Sequence, residues 1–348
     1  MNDLKRKIEG ILGMSAIGDA MGAATENLSF KQIRKIFNGE VATFLKPNET
    51  AFALGNEAGE ITDDFSQIYF LSEAIFKNNG KLDKEVVIEA ILNWSQVPKY
   101  FNRFAGPTTR TAIAMYQDPN REMKALPGAV TVDYASKATN GSAMKIAPAG
   151  ILNPNNIEGA IQDAITIAQV THDNSLAIAG ACAVAVCASV SLGEYATVES
   201  MLSAGYYGAL RGEEIGKKVS REVAGASITK RIKLAIDIVE GCGTKEEKLL
   251  LLSEVIGSGL HISEAVPCAF GIIALNKKNP LQALIDAVNI GYDTDTIATI
   301  VGTMVGAFVD FEDKKFIELY KKVQDANHID IEKMAEKYVS VVKKGEGK

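Results

Sequence analysis

Positive charge is in short supply. The chain of 348 residues carries 37 Lys and Arg against 43 Asp and Glu, a formal net charge of −6. It therefore lacks the basic footprint that nucleic-acid binding requires. Cysteine is scarce as well. Cys182, Cys187, Cys242 and Cys268 show no Cys-x-x-Cys spacing and read as reduced core thiols in a cytoplasmic protein, with no structural disulfide. Long hydrophobic runs are nearly missing. The longest, from Ser175 to Leu192, approaches the length of a membrane span but is rich in Ala, Cys and Ser, which favours a tightly packed helix over a membrane segment. The opening MNDLKRKIEG reads as helix, not as a signal peptide. No strand-like alternation and no internal repeat occurs. The fold class is all-α. With 47% hydrophobic residues, the chain can bury a large core. One multi-helical domain is expected over residues 1–342, and residues 343–348 read as a frayed basic tail.

What is present is concentrated in two acidic stretches. In GYDTDTIATIVGTMVG (residues 291–306), Asp293, Thr294, Asp295 and Thr296 stand directly before an apolar run that reads as a buried helix. A helix start favours negative charge. Two carboxylates and a hydroxyl at that spacing also form a row of hard oxygen ligands, the kind that Mg²⁺ or Mn²⁺ takes. The plainer alternative is an ordinary N-cap. In ITDDFSQIYFL, Thr62, Asp63 and Asp64 repeat the arrangement, ahead of Phe65, Ile68, Leu71 and Ile75 at helical spacing. The two clusters lie far apart in sequence but are chemically alike.

Other segments supply weaker signals. Leu4, Ile8, Ile11, Leu12 and Ser15 mark a first helix. It carries Gly18 and Gly22, which let another backbone approach closely. Asp19 lies between these glycines and reads as a cap or brace for a neighbouring loop, in preference to a role in a site; Glu26 follows the helix. Residues 31–60 read as a long loop. Gly106, Pro107, Thr108 and Thr109 form a turn whose N–H groups and hydroxyls suit a phosphate, though loops of this composition are common. Asn140, Gly141 and Ser142 form a second such turn, before a short helix that Pro148 is expected to end. His172, with Thr171, Asp173 and Asn174, opens the Ala-rich helix. There its protonated form is disfavoured, and a lone histidine is more often structural than functional.

Taken together, these motifs resemble the ADP-ribosylglycohydrolase family. IGDAMGAATE is similar to the family's first motif, with Glu26 as its acidic residue. ITDD is similar to its Thr-Asp-Asp motif, and GYDTDTIATIVGTMVGA to its Asp-x-Asp-Thr motif. GPTTRTA, NGSAMKIAPAG, the Thr-His at 171–172 and SEAVPCAF match in order between them. The resemblance covers roughly residues 5 to 310. Three positions depart from the family pattern: Tyr292 replaces a second glycine, Phe65 a threonine and Lys145 an arginine. These touch the pocket wall and bear on the substrate more than on the chemistry.

The resemblance implies an all-helical fold around two Mg²⁺ or Mn²⁺ ions, with Thr62, Asp63, Asp64, Asp293, Asp295 and Thr296 as ligands. It implies hydrolysis of an N- or O-glycosidic bond at ribose, on an ADP-ribosylated protein or a small ribosyl compound. Glu26, Asp63 and Asp295 would be catalytic. Gly106, Thr108, Thr109, Asn140, Gly141, Ser142 and His172 would hold the substrate. Chemistry supports the metal independently, because several carboxylates in one pocket repel one another and raise their pKa values until cations neutralise them. Two alternatives remain at this point: a hydrolase of free nucleosides or nucleotides, and a silent, crystallin-like family member.

Overall fold

The computed structural model describes residues 2–118, 120–121 and 130–346. Those residues form seventeen α-helices and no sheet, as the all-α expectation required.

The first helix, α1 (Asn2–Gly22), is buried along most of its length. The stretch expected to be a long loop contains α2 (Phe30–Ile36), whose Ser29 cap and Gln32 side chain bond each other's backbone N–H groups. Seven residues are too few to show periodicity in the sequence. Next come α3 (Asp63–Lys77), α4 (Lys84–Ser95), α5 (Pro98–Phe104) and α6 (Pro107–Gln117). In α7 (Ala147–Ile151), Pro148 lies in the first turn. It opens this helix instead of ending one, because an N–H is not needed there.

The second half holds α8 (Ile157–Thr171), α9 (Ser175–Ser191), α10 (Val198–Val219) and α11 (Ile228–Glu240). It continues with α12 (Lys245–Leu251), α13 (Ile262–Leu275), α14 (Pro280–Val288) and α15 (Thr294–Val305). Two amphipathic helices close the chain, α16 (Lys314–Asn327) and α17 (Ile331–Glu346). The last runs into the segment expected to be a frayed tail; residues 347–348 lie outside the described residues.

Helix α9 is buried on all sides, Val190 excepted. It is a core helix enclosed by α8, α10 and α7. Among the described residues, no helix is long and apolar enough to cross a membrane. All four cysteines are free thiols; Cys182, Cys187 and Cys268 are core residues, whereas Cys242 is exposed.

The pairing of α1 with α15 sets the site. A Cβ at Gly18 would stand 2.4 Å from the carbonyl oxygen of Ala298, and one at Gly22 would stand 2.5 Å from Asp295 Cα. Only glycine allows the two backbones to come this close. The hydroxyls of Ser15 and Thr303 meet across the same seam at 2.8 Å. This contact brings the C-terminal end of α1 against the N-terminal end of α15, and so brings the first and last motifs together.

Candidate metal centre and substrate pocket

The two acidic clusters, far apart in the chain, converge at the end of α1. Asp19 is the joint. Its carboxylate accepts hydrogen bonds from Thr62 N–H (2.9 and 3.0 Å), Thr62 Oγ1 (2.7 Å) and Phe65 N–H (2.8 Å). It thereby caps α3 and fixes Thr62, Asp63 and Asp64 beside α1. On the other side, Asn27 N–H donates to Tyr292 O, and Tyr292 N–H donates to Leu28 O, both at 2.8 Å. This pair ties the Glu26 turn to the turn before α15. The tie needs a left-handed bend: φ is +97° at Gly291 and +64° at Tyr292. A Cβ at Gly291 would stand 2.7 Å from Phe30 N, so glycine is required at the first position. The second tolerates a tyrosine, whose side chain is about half exposed.

Carboxylate oxygens of Asp19, Asp64 and Asp295 lie within 4.8 Å of one another, as do oxygens of Glu26, Asp293 and Asp295. Asp295 belongs to both triads. Asp64 Oδ1 is fully buried, with no hydrogen-bond partner among the described residues. A buried, unpartnered carboxylate oxygen costs several kcal/mol unless a cation takes it, by the usual order of magnitude. The donor set is oxygen only, as hard divalent cations require. The residues therefore fit hard divalent cations, and Asp295 is common to both groups.

Electrostatics agree. Burial, then the charge of Asp293, pushes the Glu26 carboxyl up to about 8. Burial, then Asp19, pushes Asp63 up to about 8. Asp64 and Asp295 are also raised well above the usual carboxylate range, by burial first and then by the neighbouring carboxylates. Asp19 rises only to about 6, because three hydrogen bonds from Phe65 and Thr62 offset its burial. Asp293 is raised by burial and held back by Asn140, whose Nδ2 donates to Asp293 Oδ2 at 2.5 Å.

These carboxylates border a cavity of about 270 Å³. Glu26, Asp63, Asp64, Asp293, Asp295 and Thr296 form its floor, and Gly106, Thr108, Thr109, Asn140, Gly141 and His172 are among the residues of its walls. Gly106 is the N-cap of α6 and makes no side-chain cap bond; Pro107 has no N–H and the Arg110 N–H donates to Gly106 O, which leaves the Thr108 and Thr109 N–H groups without a partner among the described residues. Two expected site residues stand off the cavity wall. Thr62 gives its hydroxyl to Asp19 and caps α3. Ser142 is buried, with Oγ donating to the Ala177 carbonyl at 3.1 Å.

Three participants escape a reading of the sequence alone. Asp19 is both a brace and a member of one triad. Phe52 lies on the wall, and its N–H donates to Glu26 Oε2 at 2.9 Å. Arg103 holds that loop in place through Asn56 Oδ1 (2.6 Å), Ala53 O (3.1 Å) and Leu54 O (2.6 Å). The local glycine spacing around Asp19 was a usable signal; nothing in the sequence near Phe52 or Arg103 was.

The ADP-ribosylglycohydrolase family profile matches residues 1–347. The uncharacterized protein YegU of Escherichia coli (strain K12) is 30% identical over 312 residues, covering 86% of this chain and 88% of that one. An uncharacterized protein of Archaeoglobus fulgidus is 30% identical over 297 residues, covering 85% of each. A solved structure described as an ADP-ribosylglycohydrolase-related protein complex matches with a TM-score of 0.67 over 99% of both chains, at 20% identity. That last likeness shows the fold.

Proposed function

The chain belongs to the ADP-ribosylglycohydrolase family, and from that premise we propose that it is a divalent-metal-dependent hydrolase that cleaves the bond between ribose and its substituent in an ADP-ribosyl compound or an ADP-ribosylated protein. The observation that carries this reading is the shared Asp295. It joins the Asp19/Asp64 triad to the Glu26/Asp293 triad, and Asp64, Glu26, Asp293 and Asp295 lie on the floor of one cavity. Asp64, Asp293 and Asp295 would hold the ions, with Asp63, Thr62 and Thr296 beside them. Two bound Mg²⁺ or Mn²⁺ ions would keep the carboxylates ionised and supply Lewis acidity at the ribose hydroxyls and the attacking water.

The protein's own groups do the rest. Glu26 is held by the Phe52 N–H and borders the cavity, where it accepts a proton from the attacking water. The water oxygen bonds to the anomeric carbon as the bond to the leaving nitrogen or oxygen breaks, and the proton ends on the leaving group. The remaining carboxylates favour the positive charge that develops on the sugar ring in the transition state. The Thr108 and Thr109 N–H groups at the start of α6, together with Asn140 and Gly141, border the space where the rest of the substrate would lie.

Product release from a panel tests this proposal: an ADP-ribosylarginine peptide, an ADP-ribosylserine peptide, free ADP-ribose and free nucleosides, each with Mg²⁺ and with chelator. Metal-dependent release of ADP-ribose from either peptide supports the reading. Cleavage of the nucleosides alone moves the substrate class to free ribosides. No cleavage of any member under any metal contradicts the proposed activity.

A further inference from the structure

Lys145 is one of the three departures from the family pattern, and the chemistry above does not use it. It is 3% exposed and lies between the Asn140–Ser142 turn and α7. Its Nζ donates to Gln67 Oε1 and to Thr171 Oγ1, both at 3.0 Å. Burial lowers its pKa to about 8, with Asp63 and Asp64 favouring the charged form. An ammonium group donates only.

That fact sets a direction. Thr171 Oγ1 accepts from Lys145 and lies 2.7 Å from His172 Nδ1. The Thr171 hydroxyl has one hydrogen, and His172 Nδ1 is the acceptor within reach. A buried hydroxyl hydrogen left without an acceptor is costly, so Thr171 donates to Nδ1. Nδ1 is then the bare nitrogen of His172, and Nε2 carries the hydrogen. Nε2 lies 2.8 Å from Thr139 Oγ1, which therefore accepts. The imidazole is neutral, because burial and the nearby charges of Lys145 and Lys137 hold its pKa well below the usual value. The ring rests on Gly141, where a Cβ would stand 2.9 Å from both Cε1 and Nε2. Thr139 lines the cavity, and its own hydroxyl hydrogen is left to point at whatever occupies it.

We propose that Lys145 is a positioning residue that fixes the direction of the chain Lys145–Thr171–His172–Thr139, and so presents the Thr139 hydroxyl as a hydrogen-bond donor to an acceptor oxygen of the bound ribosyl compound. The proposal rests on the reading of this cavity as the substrate pocket. Its first half, the histidine tautomer, is independent of that reading.

Long-range ¹H–¹⁵N spectra of the labelled protein, without ligand, report the tautomer of His172, with Lys145→Arg, Lys145→Met, Thr171→Val and Thr139→Val compared and the signal assigned by loss in His172→Gln. Wild type, Lys145→Arg and Thr139→Val are expected to show the Nε2–H form. Lys145→Met and Thr171→Val are expected to admit the Nδ1–H form; Thr171→Val keeps this readable if the lysine variant does not fold. An Nδ1–H wild type, or an unchanged tautomer in every folded variant of Lys145 and Thr171, overturns the role of Lys145.

Calorimetry with ADP-ribose and with ribose, in Mg²⁺, reads the second half. Thr139→Val is expected to weaken binding about fivefold, the effect of one hydrogen bond. Loss with both ligands assigns the acceptor to the sugar, and loss with ADP-ribose alone assigns it to a phosphate. Unchanged affinity for both, or a wild type that binds neither, overturns the Thr139 contact while leaving the tautomer result standing.

Discussion

Filling the acidic centre with a divalent cation must expel protons. Glu26 and Asp63 both stand at about 8, and Asp64 and Asp295 are raised well above the usual carboxylate range. Burial is the first cause in each, followed by the charges of neighbouring carboxylates. A group with a pKa of about 8 is about nine-tenths protonated at pH 7, so the metal-free centre holds roughly two protons from Glu26 and Asp63 alone. A cation binds the ionised form, so those protons leave. One pKa unit corresponds to about 1.4 kcal/mol, so each such group reduces metal affinity about tenfold at pH 7. Glu26 and Asp63 hold their protons below about pH 8 and lose them above it. Apparent affinity for Mn²⁺ should therefore climb as the pH rises from about 6 to about 8. Calorimetric titration at pH 7, in buffers of different ionisation enthalpy, counts the protons directly. A heat that is the same in every buffer, or an affinity flat over that range, would refute the placement of these carboxylates around one ion pair.

Two further expectations follow from single side chains. Glu26→Gln should lower kcat by about a hundred- to ten-thousand-fold without lowering the melting temperature, because burial makes the Glu26 carboxyl take up a proton on folding near pH 7 and glutamine avoids that cost; wild-type turnover would transfer the base to an aspartate. Gly22→Ala puts a methyl group 2.5 Å from Asp295 Cα, and overpacking of that kind costs about 1–3 kcal/mol. Its melting temperature and Mn²⁺ affinity should fall together, and an unchanged metal affinity would show that the contact between α1 and α15 does not hold the centre.

Legibility in the sequence followed the reach of each interaction. Helices α1 and α3 were readable because burial on one face imposes a repeat on their apolar positions, and α9 was readable as one long run of small and apolar residues. Thr62–Asp64 and Asp293–Thr296 were readable as helix starts rich in oxygen donors. Gly18 and Gly22 announced a close backbone approach, and α15 fills that place. What failed was non-local or short. Helix α2 has no room for a period, and its capping box is a two-residue signal. Asp19 seemed a brace for a neighbouring loop; that is correct, but the loop it braces is the other acidic cluster, 43 residues away. The hydrogen bond from Phe52 N–H to Glu26 runs through a backbone group, which no side-chain pattern records. Arg103 acts on carbonyls some 50 residues earlier, a separation no spacing rule spans. Thr62 and Ser142 were placed correctly in the chain, but their hydroxyls are turned to Asp19 and to the Ala177 carbonyl, a choice made by packing.

The most direct test of the binuclear centre is an anomalous difference map from crystals grown with Mn²⁺. Two peaks are expected, one on each side of Asp295, the first facing Asp64 and the second facing Asp293. A map with no peak at Asp295, or with Mn²⁺ bound only at surface carboxylates, would contradict it.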